Sequence, residues 1–153
     1  MVDAIPAGLE HRIVPYLMVD GASDAIAFYV EAFGAVERYR LPMPGGVIGH
    51  AEIAINGAAV YLADAPTNMP GDGGSPTRFG GTTVMLHQYV EDVDSAVARA
   101  QAAGAIVVRA PEDQFYGDRA SLVQDPFGHQ WSFHAHVRDV SPEEMQAAIT
   151  EMG

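Results

Sequence analysis

The stretch DPFGHQWSFHAH, Asp125 to His136, places three of the chain's six histidines within eight residues, around its single tryptophan. Imidazole is the commonest protein metal ligand and the side chain whose charge changes near neutral pH. Such a cluster therefore points to a metal centre or to acid–base chemistry. If Gln130 to Val137 is a strand, alternation puts Trp131, Phe133, Ala135 and Val137 on one side and Gln130, Ser132, His134 and His136 on the other. His129 has the opposite parity to His134, so the three histidines do not simply converge on one ion. His129 and Asp125 read as residues of the preceding turn, with Asp-Pro suited to the first two positions of a type I turn.

The same parity applied to TVMLHQYV assigns Val84, Leu86 and Val90 to the core and Thr83, Met85, His87 and Tyr89 to the opposite face. An internal repeat then extends the set. VDGASDAIAFYVEAFGAVE lies over VEDVDSAVARAQAAGAIVV at an offset of about 70 residues, which maps Met85 onto Val14, His87 onto Tyr16 and Tyr89 onto Met18. After the turn at Asn56-Gly57, Val60 and Leu62 read as core, leaving Ala59, Tyr61 and Ala63 opposite. The candidate ligand-lining residues are thus Tyr16, Met18, Tyr61, Met85, His87, Tyr89, Ser132 and His134, a half-aromatic, half-polar face suited to a groove. His50 and Glu52 share a strand face in HAEIAI. They read either as a solvated surface or as further donors.

Each copy of the repeat begins with a strand-like run that leads into a helix, near 23–33 in the first and 93–103 in the second. Ser23 and Asp92 are candidate N-caps, and Gly34 and Gly104 suit the left-handed residue that ends a helix. Three further β-prone segments follow in each copy, so each half reads β-α-β-β-β and the chain is α+β. The organisation expected is one domain over 1–153, with modules at 10–64 and 82–137 joined by a Gly/Pro-rich linker or flap at 65–81. Ser141, Pro142 and Glu144 supply a capping box and first-turn proline for a C-terminal helix over 141–152. Phe28, Val97, Trp131 and Phe133 should be largely buried.

Composition narrows the chemistry. The chain has 153 residues and no cysteine, so a transition metal would have to be held by His, Asp or Glu. A net charge of −12 disfavours nucleic acid and anionic membranes and attracts cations. No apolar run is long enough to span a bilayer and no secretory signal is visible, which makes a cytoplasmic protein the default. There is no glycine-rich phosphate loop between strand and helix, no G-x-S-x-G and no cysteine nucleophile.

The double β-α-β-β-β pattern, FYVEAFGA at 28–35, YGDR at 116–119 and DPFGHQW at 125–131 together resemble the glyoxalase/bleomycin-resistance/extradiol-dioxygenase superfamily, the vicinal oxygen chelate fold, over about residues 10–137. The resemblance implies two sheets curled into a cup, commonly completed across a homodimer. It also implies, in catalytic members, a divalent metal held by the first and last strands of each module. Carried over, those metal positions fall on Val14, Tyr61, Met85 and Ser132. None of these is a usual ligand for a divalent ion, which argues against glyoxalase or ring-cleaving chemistry. Two readings stay open. One is a metal-free homodimer that sequesters a small aromatic or cationic molecule, as the antibiotic-binding branch does. The other is a lyase, isomerase or dioxygenase-type enzyme with a divalent metal shifted onto His87, His134 and Glu52, or with His87 or His134 as general base. In YGDR, Asp118 and Arg119 read as loop-holding residues, with Arg119 alternatively anchoring an acidic ligand group.

Overall fold

A computed structural model describes residues 4–10, 12–67 and 73–153. The first module runs β1 (Tyr16–Val19), α1 (Ala22–Phe33), β2 (Val36–Pro42), β3 (Ile48–Ile55) and β4 (Ala58–Asp64). A short helix α2 (Pro76–Phe79) precedes the second: β5 (Met85–Tyr89), α3 (Val93–Ala102), β6 (Ile106–Asp113), β7 (Asp118–Gln124) and β8 (Gln130–His136). Helix α4 (Pro142–Met152) closes the chain behind a capping box in which Ser141 and Glu144 satisfy each other's backbone N–H groups. The two modules form two mixed sheets of strand order β1-β4-β3-β2 and β5-β8-β7-β6. The α+β double module read from the sequence is therefore the fold.

The register explains why the repeat is visible. Tyr16 pairs with Tyr61 in the parallel β1–β4 ladder, and His87 with Ser132 in the parallel β5–β8 ladder. Each partner in the second module lies 71 residues beyond its counterpart in the first, so one backbone plan is used twice. Asn56 and Gly57 both take positive φ, 48° and 79°, as the two-residue hairpin between β3 and β4 requires.

Helices α1 and α3 pack on each other, and buried residues of both modules merge into one core. Phe28, Val97, Trp131 and Phe133 are all buried in it. Phe33 of α1 meets the Trp131 ring at 4.6 Å and the Phe133 ring at 5.5 Å, so the first module's helix is anchored on the second module's sheet. Burying side chains of this size contributes about 1.5–3 kcal/mol each.

The DPFGHQW segment fastens the modules together. Asp125 is 1% exposed, yet its carboxylate accepts from the Tyr29 hydroxyl (2.7 Å), the Trp131 indole N–H (2.9 Å) and the backbone N–H groups of Phe127 and His129. The His129 ring reaches the Met18 carbonyl of β1 at 3.0 Å. Burial and the nearby Asp125 charge push the Tyr29 phenol well above its ordinary pKa.

Four details depart from the sequence reading. Val84 lies one residue before β5 and is 62% exposed, because the strand begins at Met85 and nothing covers the residue ahead of it. Val137 likewise falls just beyond β8 and is exposed. Ser23 does not cap α1: the helix begins after Gly21, and Asp64 at the end of β4 accepts from the Gly21 and Ala22 N–H groups instead. The 65–81 segment is more than a plain connection. Ser75 caps α2 and, with Thr77, donates to Asp20, while Gly128 of the DPFG turn packs tightly on Pro76. Residues 68–72 of that segment lie outside the described residues.

Candidate functional site

Strand β8 carries Ser132 and His134 on the face that parity assigned, and both are buried. In the neutral ring, His134 Nδ1–H donates to Asp118 Oδ2 (3.1 Å) while Nε2 accepts from Ser132 Oγ (2.9 Å). Asp118 is itself 6% exposed and also accepts from the Tyr89 hydroxyl (2.9 Å) and His136 Nδ1 (3.1 Å). Burial pushes the Asp118 carboxyl up, but the hydrogen bonds from Tyr89, His136 and His134 outweigh it and leave the pKa below the usual value. The His87 ring lies 4.2 Å from the His134 ring, and its pKa is depressed, chiefly by burial and then by that neighbour. His136, more exposed, bridges Asp139 and Asp118, and those two carboxylates raise its pKa. Tyr116 stacks over His134 at 6.3 Å. Gly117, with φ 101°, lets the chain approach closely here, since a Cβ would collide with the Arg138 carbonyl.

The first module builds a different face on the equivalent strands. Tyr39 of β2 pairs with Glu52 of β3, Glu52 with Tyr61 of β4, and Tyr61 with Tyr16 of β1, so the four form one row across the sheet. The His50 ring sits among the three tyrosines, at 5.5 Å from Tyr16, 5.1 Å from Tyr61 and 6.3 Å from Tyr39. Its nitrogens join Tyr16 (2.7 Å) and Glu52 (3.3 Å). Partial burial raises the Tyr16 pKa.

The site residues read from the sequence thus fall into two clusters. His87, Tyr89, Ser132 and His134 belong to the second sheet, and Tyr16 and Tyr61 to the first. Among the described residues no hydrogen bond, ion pair or ring contact joins the two clusters. Glu52 contacts His50 in the first sheet, apart from His87 and His134 in the second. Met18 lies on β1 beyond both, partly buried. Asp118 is a correction to the loop-holding reading, because its partners are Tyr89, His134 and His136 rather than the backbone. Arg119 is held by Asp94 and Asp113 at 2.6–2.9 Å, which leaves it engaged in protein contacts. Tyr39 is not among the residues read from the sequence, and Tyr116 enters there only as part of YGDR. Parity in VERYRL would have placed Tyr39 on a face, but only strand pairing shows what it joins.

Between the start of β1, the start of β4 and β5 lies a cleft of about 620 Å³, in which Val14, Met85 and His87 meet Val60, Leu86 and Trp131. It brings together Val14, two residues before β1, and Met85 of β5, the positions onto which the sequence resemblance carries first-strand metal ligands, and both are apolar. Ser132 offers a hydroxyl and Tyr61 a phenol, while both ring nitrogens of His134 are already hydrogen-bonded. As arranged, this donor set does not fit a divalent ion, and no group of three or more His, Asp or Glu suited to one occurs among the described residues. A second cleft, about 710 Å³, runs between the end of α1 and the β5–α3 junction and is lined by Phe33, Asn56, Glu91 and Arg99. No helix among the described residues is long and apolar enough to cross a membrane.

Comparison with known proteins places this architecture. The family model described as Glyoxalase/Bleomycin resistance protein/Dioxygenase superfamily matches residues 10–133. An uncharacterised protein of Mycobacterium tuberculosis is 47% identical over 152 residues, covering 99% of this chain and 89% of its own. A second, from Arabidopsis thaliana, is 30% identical over 117 residues, covering 72% of this chain and 69% of its own. Among solved structures, TioX from Micromonospora sp. ML1 is 29% identical with a TM-score of 0.62, covering 85% of this chain and 99% of that one. The fosfomycin resistance protein FosX from Listeria monocytogenes, solved with Mn(II) and sulfate, is similar in fold alone. It is 17% identical with a TM-score of 0.61, over 92% of this chain and 98% of its own. The sequence repeat, the paired modules and the family match agree, and the chain belongs to the glyoxalase/bleomycin resistance protein/dioxygenase superfamily.

Proposed function

We propose that this protein is a metal-free, small-molecule-binding member of its superfamily, acting as a homodimer that encloses a flat aromatic or cationic compound. The observation that carries the reading is the largely apolar cleft at Val14 and Met85, bordered by strands β1 and β5, which carry Tyr16 and Tyr89 further along. A pocket of this size with few polar groups suits burial of an aromatic skeleton at about 25 cal/mol per Å². The dimer is supported by apolar exposure, since Tyr16, Tyr39, Leu41, Met85 and Tyr89 are each more than two-fifths exposed. A second copy facing them completes the cup and leaves the space between the two for the ligand.

A thermal-shift screen of aromatic antibiotics, followed by titration of any hit, tests this reading. Tyr61→Ala and Tyr89→Ala should each weaken binding by roughly 1–3 kcal/mol. Unchanged affinity in both variants would put the ligand elsewhere, and a single-chain mass in light scattering would remove the dimer.

The Asp118–His134–Ser132 chain favours a second reading, an enzyme in which His134, oriented by Asp118, serves as general base. Metal assay of untagged protein, before and after His134→Ala, separates this reading from the shifted metal site.

A further inference from the structure

The first module's aromatic face contains a carboxylate with no Lys or Arg partner among the described residues. Glu52 sits in the row Tyr39–Glu52–Tyr61–Tyr16, flanked on both sides by phenol rings. Among the described residues its carboxylate has one hydrogen-bond partner, His50 Nε2 at 3.3 Å, and no Lys or Arg pairs with it. With Nδ1 accepting from the Tyr16 hydroxyl, Nε2–H donates to Glu52 Oε1, and the Glu52 side chain, 38% exposed, faces solvent as well as the rings. Tyr16 and Tyr61 pack edge to face at 85° with centroids 6.0 Å apart, and the His50 ring lies between them and Tyr39. Tyr16 and Tyr39 are about half exposed, so their outer ring surfaces reach solvent.

We infer that this face is a recognition site for an organic ammonium group, with Tyr16, Tyr39 and Tyr61 supplying ring faces and Glu52 the counter-charge. Rings within about 6 Å of a cation attract it through their quadrupoles, and ammonium groups of low hydration profit most. The carboxylate adds an attraction that a neutral ligand of the same shape does not feel. The chain's net charge of −12 favours approach of the same ligands from a distance. His50 acts as a positioning residue, holding Tyr16 and Glu52 at either end of its ring. The inference deepens the small-molecule-binding reading above and rests on it, by naming the charge and the chemical class that the site selects.

The test uses the intact protein and two probes of matched shape, choline and its uncharged isostere 3,3-dimethylbutan-1-ol, titrated by ligand-observed NMR. Choline should bind about tenfold more tightly than the alcohol. Glu52→Gln should cut that preference several-fold, leaving the share the rings supply, and Tyr39→Leu should weaken choline several-fold while Tyr39→Phe, which keeps the ring, restores it. Circular dichroism of each variant confirms that it is folded. Equal affinity for the two probes, or no choline binding, overturns the ammonium site. In that event, a neutral aromatic compound that still binds through Tyr61 leaves the cup reading standing, whereas failure of the whole panel removes both.

Discussion

The two sheets share one strand plan and one register, yet their ligand-facing sides solve opposite problems. On this side the second module buries three polar groups and satisfies them. Asp118, His134 and Ser132 are each less than a tenth exposed and are joined by hydrogen bonds of 2.9–3.1 Å. The first module leaves its polar groups half open, with Glu52 held by one longer contact among rings that reach solvent. Position 16 is tyrosine where position 87 is histidine, and position 61 is tyrosine where position 132 is serine. Equivalent backbone positions therefore yield a rigid polar network in one half and an adaptable aromatic surface in the other. The fold supplies the positions, while side-chain size and burial decide whether they become framework or binding surface.

The largest effect should come from the clamp between the halves. Asp125→Ala strands the Tyr29 hydroxyl, the Trp131 indole N–H and two backbone donors in a buried site, at about 1–3 kcal/mol for each group left unsatisfied. Incomplete additivity and entering water lower the sum, and a loss of roughly 3–4 kcal/mol is expected in urea denaturation. Asp125→Asn should lose less, because it keeps one acceptor. A loss under about 1 kcal/mol for Asp125→Ala would mean that the modules hold together by apolar packing alone.

The two faces themselves should separate next. Asp118→Asn replaces one acceptor oxygen of a buried network by an NH2 donor facing N–H and O–H groups and should cost roughly 2 kcal/mol, whereas Glu52→Gln on the open face should change stability by less than about 0.5 kcal/mol. Equal losses would erase the contrast between framework and binding surface.

The smallest effect concerns His136. Its folded pKa is raised by Asp139 and Asp118, so its contribution is fully present below the unfolded value near 6.5 and is lost as pH rises through the folded value. Wild type should lose a little stability on going from pH 6 to pH 8 relative to His136→Asn, with the gap narrowed by salt because the ring is half exposed. Parallel pH profiles for the two proteins would show that the bridge to Asp118 carries no charge.

Much of the fold is legible in the chain because its signals are local. Alternation in WSFHAH separates Trp131 and Phe133 from Ser132 and His134, and the structure keeps that division. Asn56-Gly57 turns the first hairpin, and Ser141 with Glu144 starts the last helix, each through geometry that spans only a few residues. The site was less legible. Parity places His134 on a face but does not reveal that Asp118, on a neighbouring strand, lies against it. Nor does it show that His134 is buried, since Tyr116 and Tyr89 reach its ring from elsewhere in the chain.

By itself the sequence determined the two modules, their helices and hairpins, and the alternation that sorts core from face. Those features follow from propensity, turn stereochemistry and period-two patterning over short distances. Tertiary structure alone decided which side chains meet. It placed Asp64 instead of Ser23 at the start of α1, drew Tyr29 and Trp131 to one buried carboxylate, and lined up Tyr39, Glu52, Tyr61 and Tyr16 across four strands. Each of these contacts joins residues distant in sequence, and strand register is set by packing of the whole sheet on its core.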